Sequence, residues 1–302
     1  MVTPAIWIKA ARPRTLPLAL SGVLMGCGIA LAFGAFRLDV SLMAVITATL
    51  IQIFSNLAND YGDSLRKTDN EYRLGPPRTV QSGEIGKRQM ERGMALVGGL
   101  SFFSGLGLLR VALGSSWIAF AVFLLLGILC LVSAYFYTGG RRAYGYAGFG
   151  DAFVFVFFGL VAVAGSFFLN AGFLAPSVLL PSASIGLFSS GVLNLNNMRD
   201  MDNDRNCGKL TLPVRLGLRA SLLYHALLIA LGWIAATAFT AIQWSGPWQG
   251  LYAAALPLFL LDLARIRRTR NPRDLDPFLK RLALSTLAFT LLFCMGSVVA
   301  KA

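Results

Sequence analysis

Residues 41–54, S-L-M-A-V-I-T-A-T-L-I-Q-I-F, carry no charge and run almost directly into residues 56–78, N-L-A-N-D-Y-G-D-S-L-R-K-T-D-N-E-Y-R-L-G-P-P-R. The first part reads as the end of a membrane span and the second as its charged mouth. There Asp60, Asp63 and Asp69 are interleaved with Arg66, Lys67, Arg73 and Arg78. Carboxylates at the mouth of a lipid-embedded helix are costly and mark function more often than packing. Residues 194–215, N-L-N-N-M-R-D-M-D-N-D-R-N-C-G-K-L-T-L-P-V-R, repeat the same chemistry later in the chain.

Composition agrees with a membrane reading. Of 302 residues, 56% are apolar and only 14% charged, against about 25% charged in a soluble domain; the mean hydropathy is +0.65. Apolar segments of spanning length, roughly 17–25 residues, fall near 16–35, 40–58, 93–111, 117–138, 149–170, 175–197, 220–241, 249–265 and 281–300. The expected fold is therefore an all-α integral membrane protein of about nine transmembrane helices in a single polytopic domain. The spacing of the two acidic runs suggests two four-helix repeats, near 12–140 and 141–265, plus a last helix near 281–300. These would surround a central cavity, since lipid requires backbone polar groups to be satisfied within helices.

Charge supports the same count. With nine spans, only Arg37, Arg110 and Lys301 among the 27 lysines and arginines fall on the side opposite the N-terminus. That bias places the N-terminus in the cytoplasm, the C-terminus outside and both acidic runs on the cytoplasmic face of the cell (inner) membrane. The first apolar run, preceded by Lys9, Arg12 and Arg14, is expected to be a retained span rather than a signal peptide. The net charge of +13 is explained by short basic loops facing lipid headgroups, so no nucleic-acid partner is expected. His225 is the sole histidine, which argues against a histidine metal site or a Ser-His-Asp triad. Cys27, Cys130, Cys207 and Cys294 have neither pairing nor metal spacing.

Asn56, Asp60 and Asp63 share one face of a helix at about 3.6 residues per turn, and Asn196, Asp200 and Asp204 repeat this in four-residue steps. Two such faces across a cavity form a hard-oxygen environment suited to Mg2+ shared with phosphate rather than to zinc. Basic residues follow each face: Arg66, Lys67, Arg73 and Arg78, then Arg199, Arg205, Lys209 and Arg215. Acids holding a metal, with cations touching phosphate oxygens, match a metal-bridged diphosphate. An apolar cavity behind it points to polyprenyl diphosphate. The bland reading is a set of ordinary surface ion pairs, which is how Glu71, Asp202, Asp274 and Asp276 are read.

At this level of detail the chain resembles the UbiA superfamily of intramembrane aromatic prenyltransferases, and within it the 1,4-dihydroxy-2-naphthoate branch of menaquinone synthesis. The resemblance rests on R-P-R-T-L-P at 12–17, S-N-L-A-N-D-Y-G-D at 55–63 with G-P-P-R at 75–78, and Y-T-G-G at 137–140. It continues through Gly145-Tyr146-x-Gly148-x-Gly150, F-V-F-V-F-F-G at 153–159 and N-N-M-R-D-x-x-x-D from 196. One departure is that the superfamily spaces its first acids by four, where Ser64 stands here and Asp63 precedes it. Asp151 stands where some relatives carry Glu.

The resemblance implies magnesium-dependent transfer of a polyprenyl group to 1,4-dihydroxy-2-naphthoate with loss of CO2, giving demethylmenaquinone. Asp60, Asp63, Asp200 and Asp204 would hold Mg2+, with Asn56 and Asn196 completing the site. Lys67, Arg78 and Lys209 are expected on the diphosphate. Tyr137, or Tyr135, would face the allylic cation through its ring. Alternatives are another aromatic acceptor, such as 4-hydroxybenzoate or homogentisate, or a secondary transporter. Transporter sites, however, lie near helix centres beside breaks rather than at helix ends.

Overall fold

The computed structural model describes every residue except Met1, Lys67, Asp69, Glu71, Arg142, Arg270 and Ala302. Among the described residues the chain is helical, with nine helices long and apolar enough to cross a membrane. They are Pro4–Ala32, Leu38–Leu65, Lys87–Leu113, Trp117–Phe136, Gly150–Ala171, Pro176–Arg199, Leu212–Ile242, Pro247–Arg268 and Pro272–Val299, called the first to ninth spans here.

Several boundaries differ from hydropathy, each for a physical reason. The first span opens with a separate helix, Pro4–Ala11, that turns through a left-handed Arg12 (φ 51°) into a 3-10 turn, Pro13–Thr15. Trp7 of this helix packs over Gly93, where an added Cβ would lie 2.5 Å from the indole. The second span continues to Leu65, past the end expected at 58, because its carboxylates find partners and no longer oppose burial. The fifth span contains a π-helical stretch, Phe155–Ala164. Widened turns of this kind are frequent at functional sites. The seventh span starts at Leu212 and breaks at Gly217, whose φ of 76° suits glycine alone.

An aromatic cluster locks the sixth to ninth spans together. Phe188, Trp233, Tyr252, Phe259 and Phe289 meet at ring separations between 4.8 and 6.4 Å. Such pairs add about 0.5–1.5 kcal/mol each beyond area burial. Between the fifth and sixth spans the backbones touch at Gly159, where a Cβ would lie 2.7 Å from Gly186 Cα. The fourth span buries no residue fully and lines the cavity through such residues as Leu124, Gly127 and Leu131.

Candidate active site

Both acidic motifs and the loops that follow them meet at one end of a cavity of about 650 Å³. Its charged end is lined by Asn56, Asp60, Asp63, Arg73, Arg78, Asn196 and Lys209, with Arg12, Arg14 and Lys280 nearby. The remainder is apolar, lined by such residues as Leu109, Leu124, Leu131, Phe157 and Leu169. One end thus suits an anion and the other a hydrocarbon.

The first motif is helical throughout, and Asn56, Asp60 and Asp63 are all buried. Asp60 is the anchor of the 75–86 loop. Its Oδ2 accepts from Thr79 N (3.0 Å) and Thr79 Oγ1 (2.6 Å), and its Oδ1 from Val80 N at 3.3 Å. Asp63 accepts from the Tyr146 hydroxyl at 2.9 Å and faces Arg78 at 3.7 Å. The Asn56 carboxamide donates to Ala11 O (2.8 Å) and Thr15 Oγ1 (2.9 Å), tying the N-terminal segment to the site.

The second motif is not one continuous helix face. The sixth span ends at Arg199, Asp200 stands at the break, and a short helix, Met201–Asn206, carries Asp204. The four-residue register survives, because Asp204 N still donates to Asp200 O at 2.8 Å. Arg199 grips Asp200 in a two-point pair, Nε to Oδ1 at 3.1 Å and Nη2 to Oδ2 at 2.6 Å, and also donates to Asn196 Oδ1 at 2.9 Å. Burial opposes the charge of Asp200, but the Arg199 hydrogen bonds, with the charges of Arg199, Arg73 and Lys209, hold its carboxyl below the usual range.

Asp204 differs. Burial pushes its carboxyl up to about 6, against the pull of Lys209 and with the help of Asp200 and Asp63. Lys209 Nζ lies 3.7 Å from Asp204 Oδ1, while Oδ2 is buried with no hydrogen-bond partner. Lys209 itself is buried, which opposes its charge, yet Asp63 and Asp204 hold its ammonium well above the ordinary lysine value.

Among the described residues no three carboxylate, histidine or cysteine side chains converge into a preformed cage. A hard cation that takes one or two carboxylates and completes its shell with phosphate and water needs no such cage. The unpartnered Asp204 Oδ2 gives such a cation a buried anionic oxygen, so the residues fit Mg2+ shared with a diphosphate.

An aromatic wall stands beside the charged end. Tyr137 lies edge-on to Tyr144 (5.4 Å between centroids), and Tyr144 stacks on Phe153 at 3.9 Å. Gly145 and Gly150 admit the Tyr137 ring, since a Cβ at either would lie 2.9 or 3.1 Å from its Cε2. Burial pushes the Tyr137 hydroxyl pKa up. Tyr135, the alternative to Tyr137, points elsewhere, into an outer groove with Phe54, Tyr61 and Gly98.

With this geometry in place, comparison with known proteins is decisive. Residues 19–296 match the UbiA prenyltransferase family. The chain belongs to the UbiA prenyltransferase family. It is a multi-pass membrane protein of that family. It is 40% identical over 290 residues to a 1,4-dihydroxy-2-naphthoate octaprenyltransferase of Escherichia coli (strain K12), covering 96% of this chain and 94% of that one. The like-named protein of Haemophilus influenzae is 38% identical, covering 97% and 96%. An apo structure of a UbiA homolog from Aeropyrum pernix K1 superposes with a TM-score of 0.67 at 19% identity, over 93% of this chain and 97% of that chain. A UbiA homolog from Archaeoglobus fulgidus bound to DMAPP and Mg2+ gives 0.61 at 16% identity, over 95% and 98%. These two likenesses concern the fold.

Of the residues singled out from sequence, Asn56, Asp60, Asp63, Arg78, Tyr137, Asn196 and Lys209 line the cavity. Asp200 and Asp204 stand behind that lining, joined to it through Arg73 and Lys209. Lys67 lies outside the described residues, as do Asp69 and Glu71. Asp202 makes only an exposed pair with Arg205 at 3.8 Å. Three participants were not among the site residues expected from sequence. Thr79 holds Asp60. Tyr146 holds Asp63 and lies under Arg66 (4.3 Å) and Lys209 (5.4 Å). Asp276, read from sequence as a loop charge, pairs with Arg199 and with Arg14 at 3.4 Å. Only Tyr146 stands in a stretch that the family resemblance marked.

Proposed function

We propose that this protein transfers a polyprenyl group from polyprenyl diphosphate to 1,4-dihydroxy-2-naphthoate with loss of CO2, giving demethylmenaquinone. The observation that carries the reading is the cavity itself, anionic-ligand chemistry at one end and hydrocarbon lining behind it, with both family motifs at the charged end. The names of the Escherichia coli and Haemophilus influenzae relatives support the acceptor. The DMAPP and Mg2+ in the Archaeoglobus fulgidus homolog support the donor and the metal.

Asp60, Asp63, Asp200 and Asp204 would hold Mg2+, which when bound neutralises the diphosphate and makes it a better leaving group. Lys209 and Arg78, with Lys67, bind diphosphate oxygens and stabilise the charge that gathers there as the allylic C–O bond breaks. Asn56 and Asn196 keep the two motifs in register with the N-terminal segment and Arg199. The face of Tyr137 stabilises the allylic cation, and the apolar lining excludes water that would otherwise capture it. The acceptor ring carbon supplies the electron pair for the new C–C bond, and the carboxylate on that carbon leaves as CO2 to restore aromaticity.

The loop charges support a motif end facing the cytoplasm from the inner membrane, with the N-terminus inside and the C-terminus outside. The reading is tested with purified protein, a polyprenyl diphosphate and Mg2+, offered 1,4-dihydroxy-2-naphthoate, 4-hydroxybenzoate or homogentisate. Prenylation of the naphthoate alone is expected. Turnover only of a different acceptor would refute the assignment, and solute flux without turnover would favour a transporter.

A further inference from the structure

Five side chains of alternating charge run in a line beside the site: Arg14, Asp276, Arg199, Asp200 and Arg73. Arg14 Nη1 lies 3.4 Å from Asp276 Oδ2, and Arg199 Nη1 donates to Asp276 Oδ1. Arg199 then takes Asp200 by two hydrogen bonds, and Arg73 Nη2 stands 3.6 Å from Asp200 Oδ2. The Arg199 side chain is wholly buried, so its charge depends on these partners. A guanidinium held by one carboxylate can still pivot about that pair. Carboxylates on two edges fix its plane. Asp276 supplies the second edge from the first turn of the helix Asp276–Val299, where a negative charge is favoured.

We infer that Asp276 is a positioning residue of the diphosphate site, fixing Arg199 from behind so that Arg199 presents Asp200 in a single orientation. The inference rests on the reading of the site given above. Asp276 does not line the cavity, so it acts on metal and diphosphate only through its partners, on Asp200 by way of Arg199 and at the cavity rim by way of Arg14. Sharing Arg199 between two carboxylates also leaves Asp200 more of its negative field than a private pair would.

The test uses the full chain in detergent and Mn2+ with inorganic pyrophosphate as the probe, followed by the paramagnetic signal of bound Mn2+. Asp276→Asn is expected to weaken binding about tenfold, the size of one charge-assisted hydrogen bond. In an Asp200→Asn background it should add less than about twofold, because both changes act on one group. Asp276→Glu should recover only part of the loss, leaving binding about threefold weaker than wild type because its longer arm displaces the carboxylate, and the KM for the aromatic acceptor should not move. Wild-type binding by Asp276→Asn, or losses that multiply in the double variant, would overturn the inference. If Asp276→Asn does not fold, Asp276→Glu decides: its longer arm must shift Mn2+ binding severalfold, and equality with wild type refutes the relay. A wild-type protein that binds no Mn2+–pyrophosphate would refute the diphosphate reading as well, whereas normal binding unaffected at Asp276 refutes the relay alone.

Discussion

Asp204 offers the sharpest quantitative test of the charged end. Its carboxyl is 1% exposed and pushed up to about 6, first by burial. Its Oδ2 has no hydrogen-bond partner, and its Oδ1 faces Lys209 at 3.7 Å. A metal ligand must be deprotonated, so in the proposed ligand set protons and Mg2+ would compete for this oxygen. At its pKa the group is half protonated and one pH unit lower about ten to one, so half-saturating Mg2+ should rise about fivefold between pH 6 and pH 5. Asp204→Asn removes the competition and the charge together. At pH 7.5 it should weaken Mg2+-dependent activity by about 1.5–3 kcal/mol, or roughly ten- to 150-fold, and flatten the acid limb. The assay is a Mg2+ titration of diphosphate release from pH 5 to 8 in both proteins. The substrate phosphate also titrates near 6, so the variant supplies the baseline. The sign for stability is opposite. The folded carboxyl binds its proton more tightly than the ordinary value of 3.8. Metal-free protein should therefore lose roughly 3 kcal/mol in all as pH rises from below about 4 to above about 6, a slope that Asp204→Asn lacks. Identical pH profiles for wild type and variant would refute the assignment of Asp204.

Three further outcomes follow from named contacts. Thr79→Val removes the 2.6 Å hydroxyl bond to Asp60 but keeps the backbone donors. It should cost about 1–3 kcal/mol in kcat/KM while Thr79→Ser costs little, and equal losses in the two would contradict the hydrogen bond. Tyr137→Phe keeps the aromatic face and should retain most of kcat, whereas Tyr137→Leu should lose about 30-fold, the worth of a desolvated cation–π contact near 2 kcal/mol; equal kcat values would remove Tyr137 from that role. Gly159→Ala would put a Cβ 2.7 Å from Gly186 Cα and should lower thermal stability in detergent by about 1–3 kcal/mol, read by a melting curve.

Much of the fold was legible because membranes impose long-range order on local composition. Nine apolar runs separated by basic loops leave little freedom in counting, and the nine helices match that count among the described residues. The acidic motifs were legible for a related reason: charge at a span end is so costly that its presence is itself a signal. What the pattern missed are contacts between distant segments. Hydropathy ended the second span near 58, since it could not know that Thr79 and Tyr146 satisfy Asp60 and Asp63. Asp276 carries no motif and looks like any loop charge, yet it meets Arg14 across 262 residues of sequence. The break at Asp200 was hidden by a four-residue spacing that a short second helix preserves.

We propose a decarboxylating prenyl transfer at a site shared by the two motifs. It is tested most directly by stoichiometry, using purified protein, carboxyl-labelled 1,4-dihydroxy-2-naphthoate, polyprenyl diphosphate and Mg2+. One labelled CO2 and one diphosphate released per prenylated ring are expected, and both should vanish together in Asp60→Ala and in Asp200→Ala. Prenylated product that retains the label, or full turnover in either variant, would contradict it.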